Sequence, residues 1–295
     1  MLDVRRLRLL RELAHRGTIA AVAEALSFSP SAVSQQLTVL ERESGVPLLE
    51  RTGRRVALTP AAHRLVAHAE AVLARLELAA AELADARQGP AGPLRIGTFP
   101  SAARVVIPAA LSALAARYPG LEPLVAEVDP AGVADLLRAG ELDVALVHDY
   151  DFVPSPPEPG VQSEPLFAEA MYLATPPPGS TDLAERRDDP WIMATHGTLC
   201  HAMAVRACQA VGFTPRIRHR VDDFATVLAL VAVGQGVALV PELGVVDPPA
   251  AVALHRLAMS RRTAVAFREG AAGHPAVAAF AAAVREALPP GLQPS

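Results

Sequence analysis

From Pro60 to Gln88 the chain holds no glycine and no internal proline, and this stretch constrains the fold more than any other. A proline is tolerated in a helix's first turn, so Pro60 can open a helix that Gly89-Pro90 then stops. Within it Leu65, Ala69, Val72, Leu76, Ala79 and Leu83 alternate by four and three residues, which is the spacing of a coiled-coil seam. A helix of about 29 residues would be roughly 43 Å long. The pattern predicts a dimer-forming helix, with burial against the chain's own body as the alternative. It divides the 295 residues into segments 1–59, 60–89 and 90–295.

The first segment reads as three short helices and a hairpin. Val4, Leu7, Leu10 and Leu13 mark one helix face, and Gly17 ends that helix. Thr18 can cap a second helix reaching about Leu26, and Ser27-Phe28-Ser29 turns into Pro30, the start of a third. On that third helix Val33, Leu37 and Leu40 form the apolar face. Ser31, Ser34, Gln35 and Thr38 line the opposite face, which carries no acid. Such a face can approach a phosphate-lined groove, with Gln35 suited to an adenine edge and the hydroxyls to phosphates or bases. An ordinary solvated helix face usually carries Glu and Arg. Two apolar runs then flank Thr52-Gly53-Arg54-Arg55, a hairpin whose tip, with Arg51 beside it, would touch backbone phosphates or the minor groove.

Charge is distributed to match. Residues 1–59 hold nine arginines and six carboxylates, a net of +3, so the remainder carries −7 of the chain's −4. All the cationic side chains are arginine, which excludes a lysine Schiff base and a Walker phosphate loop. Neither a Gly-x-Ser-x-Gly elbow nor a His-Glu-x-x-His pair occurs, so no enzyme, catalytic residue or cofactor is expected. No apolar run approaches 18 residues and no signal-peptide core follows Arg5-Arg6, so no membrane partner is expected and the cytoplasm is the expected compartment.

After Gly89-Pro90-Ala91-Gly92-Pro93, strands and helices alternate in two similar runs, which predicts parallel sheet in a bilobed α/β domain with a cleft. Lobe I is expected to span about 93–164 and 266–295, and lobe II about 165–265. Thr98 and Ser101 flank Phe99-Pro100 after the first strand, where hydroxyls and free backbone N–H groups could bind an anion, or merely cap a helix. His148 is placed after the third strand, and Thr195-His196 after the Trp191 strand. Ligands of open α/β sheets bind beyond the strands' carboxyl ends.

Several runs together resemble the LysR-type transcriptional regulators: Ala21 to Leu26, Ser29 to Leu37, Gly45 to Arg54, Leu58-Thr59-Pro60, Leu94 to Gly97, Gly140 to Leu146 and Gly234 to Pro241. The resemblance spans essentially the whole chain in order. It departs at Pro30-Ser31, where many members have Gln-Pro, and at Gln35, where they have Arg. It implies an all-α winged helix-turn-helix N-terminal domain plus a long linker helix, and a periplasmic-binding-protein-like C-terminal effector domain. Ser34 and Gln35 are then expected near bases or phosphates and Arg51 near the backbone, followed by Ser31 and Arg54. The implied partners are double-stranded promoter DNA, a small and often anionic effector, a second copy through residues 60–88, a homotetramer, and RNA polymerase. Some relatives sense peroxide through paired cysteines, so Cys200 and Cys208 form an alternative sensor, although eight residues of helix would hold them about 12 Å apart. With His196 and His201 they match no ordinary zinc spacing. A small-molecule-binding protein without DNA activity is a further alternative, and it leaves the Ser31–Thr38 face unexplained.

Overall fold

The computed structural model describes residues 1–52, 55–85, 89–178, 181–290 and 292–294, with the backbone alone at 51, 52, 55, 85, 293 and 294. The N-terminal head is built from α1 (Val4–Arg16), α2 (Ile19–Ala25) and α3 (Pro30–Ser44). Asp3, Thr18 and Ser29 cap them by accepting from backbone N–H groups two or three residues on, each worth roughly 1 kcal/mol. Leu10, Val22, Val33, Leu37 and Leu40 close the core between them, all fully buried. The hairpin follows as β1 (Leu49–Thr52) and β2 (Arg55–Leu58), antiparallel, with Leu49 opposite Leu58. Glu41 of α3 accepts from the backbone of Leu48 and Leu49 at 2.9 and 3.0 Å, which fixes the hairpin beside that helix.

The long helix is α4 (Pro60–Asp85); residues 86–88 of the expected helix lie outside the described residues. Its heptad stripe does not act as one seam. Leu65 and Ala69 pack into the head's core, whereas Val72, Leu76, Ala79 and Leu83 face solvent. The helix turns another face to its own chain, where Glu70 meets His15 at 2.8 Å and Glu77 meets Arg268 at 2.8 Å. Gly270 comes so close that a Cβ there would stand 2.2 Å from the carbonyl oxygen of Ala74, and its φ of +90° also favours glycine.

The C-terminal part runs β3 (Gly92–Thr98), α5 (Pro100–Val105), α6 (Ile107–Arg117), β4 (Leu121–Glu127), α7 (Pro130–Ala139), β5 (Val144–Tyr150) and β6 (Val161–Thr175). It continues with β7 (Pro190–Met193), α8 (Leu199–Ala210), β8 (Arg216–Arg220), α9 (Phe224–Ala232), β9 (Ala238–Pro241), β10 (Ala253–Arg268), α10 (Pro275–Glu286) and β11 (Gln293–Pro294). The main sheet has the order β11-β6-β10-β5-β3-β4, with β9 also on β6. It is mixed, which corrects the expectation of a parallel sheet. β3 is parallel to β4 and β5, but β10 runs antiparallel to both β5 and β6. The reason is that β6 and β10 are long strands of 15 and 16 residues that pair with each other and serve both lobes. Ile96, Leu146, Phe267 and Phe280 centre one core, and Trp191, Leu173, Met193 and Met203 another.

The head is fastened to the first of these lobes by arginines. Arg8 donates to the carbonyls of Ala139 (2.6 Å) and Arg138 (3.3 Å), Arg11 to that of Arg138 (3.2 Å) and Arg16 to that of Asp135 (3.1 Å). These carbonyls belong to the last turns of α7, where unpaired oxygens and the helix dipole concentrate negative charge. Glu12, fully buried, holds Arg11 and Arg16 in place at 2.7 and 2.9 Å. Burial first, and then the neighbouring Arg11 and Arg268, lower the pKa of Arg8. Replacing both Arg8 and Arg16 by alanine should cost about 1–3 kcal/mol of stability and free the head from the sensor lobe. Limited proteolysis within α4 should then speed up, whereas unchanged cleavage would place the fastening elsewhere.

Candidate functional site

Two separate surfaces carry the residues singled out in the sequence. On α3, Ser31, Gln35 and Thr38 are exposed and Ser34 is half-buried. Proline at the helix start and Ser29 as its cap fix the register, and burial of Val33, Leu37 and Leu40 turns this polar face outward. Thr38 donates to the carbonyl of Ser34 at 3.1 Å, and the Ser31 and Ser29 hydroxyls pair at 3.0 Å. Gln36 next to them is committed to Arg6 at 2.9 Å, while among the described residues the amide of Gln35 has no partner. Thr18 accepts from the backbone of Ala21 as the α2 cap. The hairpin sets Arg51 opposite Val56 and Arg55 opposite Thr52, and Arg54 lies outside the described residues. α3 and the hairpin thus stand side by side, an arrangement suited to a helix that enters a major groove.

The second surface is a cleft of about 270 Å³ between the lobes, which suits a small molecule. Its floor is Arg261 of β10, with 1% of its surface exposed. The guanidinium donates through Nε to Glu169 of β6 at 2.7 Å and through Nη2 to the Ser101 hydroxyl at 2.9 Å. It also lies 4.8 Å from the centre of the Phe99 ring, a cation–π contact. Burial alone would lower its pKa, yet Glu169 and Tyr150 hold it above the ordinary value. Glu169 in turn accepts from the backbone of Leu243 at 2.7 Å.

Around this floor stand Tyr150, Cys200 and His148. Burial pushes the Tyr150 phenol well up and, with Arg261 adding to it, holds His148 well below the usual histidine range, so the imidazole is neutral. His148 packs edge-on against Phe99 and Tyr150, and its Nδ1 is buried without a hydrogen-bond partner among the described residues. Phe224, Leu199, Val128 and Pro130 form apolar walls.

Sequence reasoning placed the floor only in part. Ser101 and His148 do line the cleft. Ser101 does not cap α5, and its hydroxyl accepts from Arg261. His148 sits within β5 rather than after it. Thr98 is fully buried, with its hydroxyl turned to the carbonyl of Phe99, so it is absent from the lining. Thr195 holds Asp222 by two bonds of 2.7 and 2.6 Å, and the exposed His196 rests on His201 outside the cleft. Arg261, Tyr150 and Glu169 were missed. Their one signal was arginine and glutamate interrupting otherwise strand-like runs.

The thiols share one uninterrupted helix, α8, and are both free. Burial raises the Cys208 thiol to about 12 and that of Cys200 above its usual value. A thiol poised for attack has the opposite shift. Among the described residues no cluster of His, Cys, Asp or Glu could hold a metal ion, and no helix is long and apolar enough to cross a membrane.

Comparison with known proteins places these surfaces in a family. Residues 4–63 match the model for the bacterial regulatory helix-turn-helix protein of the lysR family, and residues 87–289 that for the LysR substrate binding domain. A "Probable hydrogen peroxide-inducible genes activator" of Streptomyces viridosporus is 35% identical, with 97% of each chain covered. The "Transcriptional dual regulator GltC" of Bacillus subtilis is 27% identical over 82% of this chain and 81% of its own. A Corynebacterium glutamicum OxyR C206 mutant structure superimposes with a TM-score of 0.59 at 28% identity, over 97% of this chain and 92% of that one. With head, linker helix and cleft domain all matched in order, the chain belongs to the LysR family of transcriptional regulators, DNA-binding proteins that carry an effector-binding domain and form oligomers.

Proposed function

We propose that the polar face of α3 reads promoter DNA, with Gln35 and Ser34 at the bases, and Ser31, Thr38, Thr18 and the wing arginines Arg51, Arg54 and Arg55 at the backbone. Support comes from the exposed amide of Gln35 and from a helix face free of carboxylates between Pro30 and Leu40. Two copies would pair through the exposed stripe Val72, Leu76, Ala79 and Leu83, presenting two heads to a pseudo-palindromic site. The protein would act as a regulator in the cytoplasm, without catalysis of its own.

The cleft takes a small effector that bears a carboxylate. The observation that carries this is Arg261: buried at the cleft floor beside the hydroxyl of Ser101, with the buried, partnerless Nδ1 of His148 in the same cleft wall, it offers planar, pre-oriented donors. The N-terminal end of α7, Asp129-Pro130, lines the same cleft, and its last turns hold Arg8, Arg11 and Arg16 of the head. One ten-residue rod, about 15 Å long, therefore touches both effector and head. An effector that favours one placement of α7 shifts the head by that difference in affinity and no more. Peroxide sensing, suggested by the name of the Streptomyces relative, would require a reactive thiolate, and burial pushes both thiols away from that form.

Two experiments test this reading. In gel-shift titrations Ser34→Ala and Gln35→Ala should each weaken operator binding by roughly 1–3 kcal/mol, and Arg51→Ala should lower the salt slope by about one. Unchanged affinity and slope in all three would remove the assigned interface. For the cleft, a thermal-shift screen of metabolites is repeated on Arg261→Lys, which keeps the charge beside Glu169 but loses the fork. Hits carrying a carboxylate should lose about tenfold in affinity. Hits indifferent to that change would move the effector site.

A further inference from the structure

We propose that the effector is zwitterionic: an amino acid, or an amino-acid-like molecule, whose carboxylate meets Arg261 and whose ammonium meets the rim of the cleft. This rests on the reading of the cleft given above and names the class of its ligand. The charges lining the cleft are arranged along its depth. Arg261 is the one cation among the lining residues, and it is buried at the floor. Glu127, Asp129 and Asp222 line the same cavity, and all three are exposed.

Both ends lie within electrostatic reach of one atom. The Cys200 thiol is raised chiefly by burial, drawn down by Arg261, and pushed up again by Asp222 and Asp129. The floor and the rim therefore belong to a single small space of about 270 Å³.

This arrangement disfavours a purely anionic ligand. The charge of Arg261 is already balanced by Glu169, so an added carboxylate meets donors but little uncompensated positive charge. Three rim carboxylates would remain beside it, and their repulsion would act on any second negative group. A cationic group at the rim relieves that repulsion. Glu127 and Asp129 come from the β4–α7 side and Asp222 from the loop before α9, so one ammonium between them would also draw the two sides of the cleft together. Asp222 is already oriented by Thr195, and Asp129 by the backbone of Ala131.

A second observation points to a ligand at the floor. His148 lines the cavity, is buried and kept neutral, and its buried Nδ1 has no hydrogen-bond partner among the described residues. A buried ring nitrogen without a partner is costly unless something supplies one. A ligand carboxylate does so when that nitrogen carries the proton. Phe99, Val128, Leu199 and Phe224 give the space between the two ends an apolar wall, which suits a hydrocarbon body between two charges.

The test uses the full-length protein and two matched probe series, read by calorimetry and thermal shift. One series is L-leucine, 4-methylpentanoate and 3-methylbutylamine; the other is 6-aminohexanoate, hexanoate and hexylamine. In at least one series the zwitterion should bind ten times more tightly than either singly charged partner. Glu127→Gln, a change at an exposed strand end, should weaken the zwitterion roughly fivefold and leave the carboxylate-only probe unchanged or slightly tighter. A carboxylate-only probe that binds as well as the zwitterion, with Arg261→Lys harmful and Glu127→Gln neutral, overturns the zwitterion and keeps the cleft reading. An amine that binds best and ignores Arg261→Lys overturns both. Failure of every probe to bind at millimolar concentration overturns the proposal for amino acids of this size.

Discussion

The ion pair between Arg261 and Glu169 is the contact on which the sensor half of the molecule depends. The two residues face each other across β10 and β6, the long strands shared by both lobes, and both are almost completely buried. Removing either partner would strand a charge in the interior, which costs several kcal/mol, so the pair fixes the register of the two strands. Each partner also reaches outward: Arg261 to Ser101 on α5, Glu169 to the backbone of Leu243 after β9. A single pair thereby ties the two paired strands to α5 and to the turn after β9, both part of the first lobe's core, and its Arg261 forms the floor of the cleft.

From that floor the consequences spread toward the head. α7 starts at the cleft wall and ends in the grip of Arg8, Arg11 and Arg16, and Arg268 reaches its Leu137 carbonyl and Glu77 of α4. The fastening is polar, built from arginines on carbonyls and carboxylates. Such contacts release and re-form more readily than an apolar core would, which fits the proposed response of this junction to a ligand. The basic N-terminal fifth of the chain therefore has two proposed uses for its arginines. Arg8, Arg11 and Arg16 of α1 hold the sensor, and those of the wing are the ones proposed to meet the nucleic acid.

The head was legible because its rules are local. Ser29-Pro30 and Gly17 mark helix ends, and Val33, Leu37 and Leu40 recur at helical spacing, so no distant partner is needed to read them. The cleft floor was hidden for the opposite reason. Arg261 and Glu169 are 92 residues apart, and charges in β6 and β10 break the alternation that marks a strand. Apolar residues run together only in short pieces of these strands, near Met171 and after Thr263, although the strands are 15 and 16 residues long. Thr98 shows the limit of position as a guide. It is the last residue of its strand rather than the first after it, and its hydroxyl is buried and turned to the carbonyl of Phe99. The heptad stripe of α4 was correct as a spacing, yet the head claims Leu65 and Ala69, leaving Val72 to Leu83 for a partner.

Mechanical coupling from cleft to head through α7 is the central claim, and hydrogen exchange over the full-length chain tests it most directly. The comparison is between the wild type and a Ser101→Ala/Arg261→Lys double variant, whose changes lie wholly at the cleft floor. Coupling predicts faster exchange not only in β10 and β6 but also in the last turn of α7 and in the part of α1 around Arg8 and Arg11. Faster exchange confined to the strands, with α7 and α1 unchanged, would contradict it.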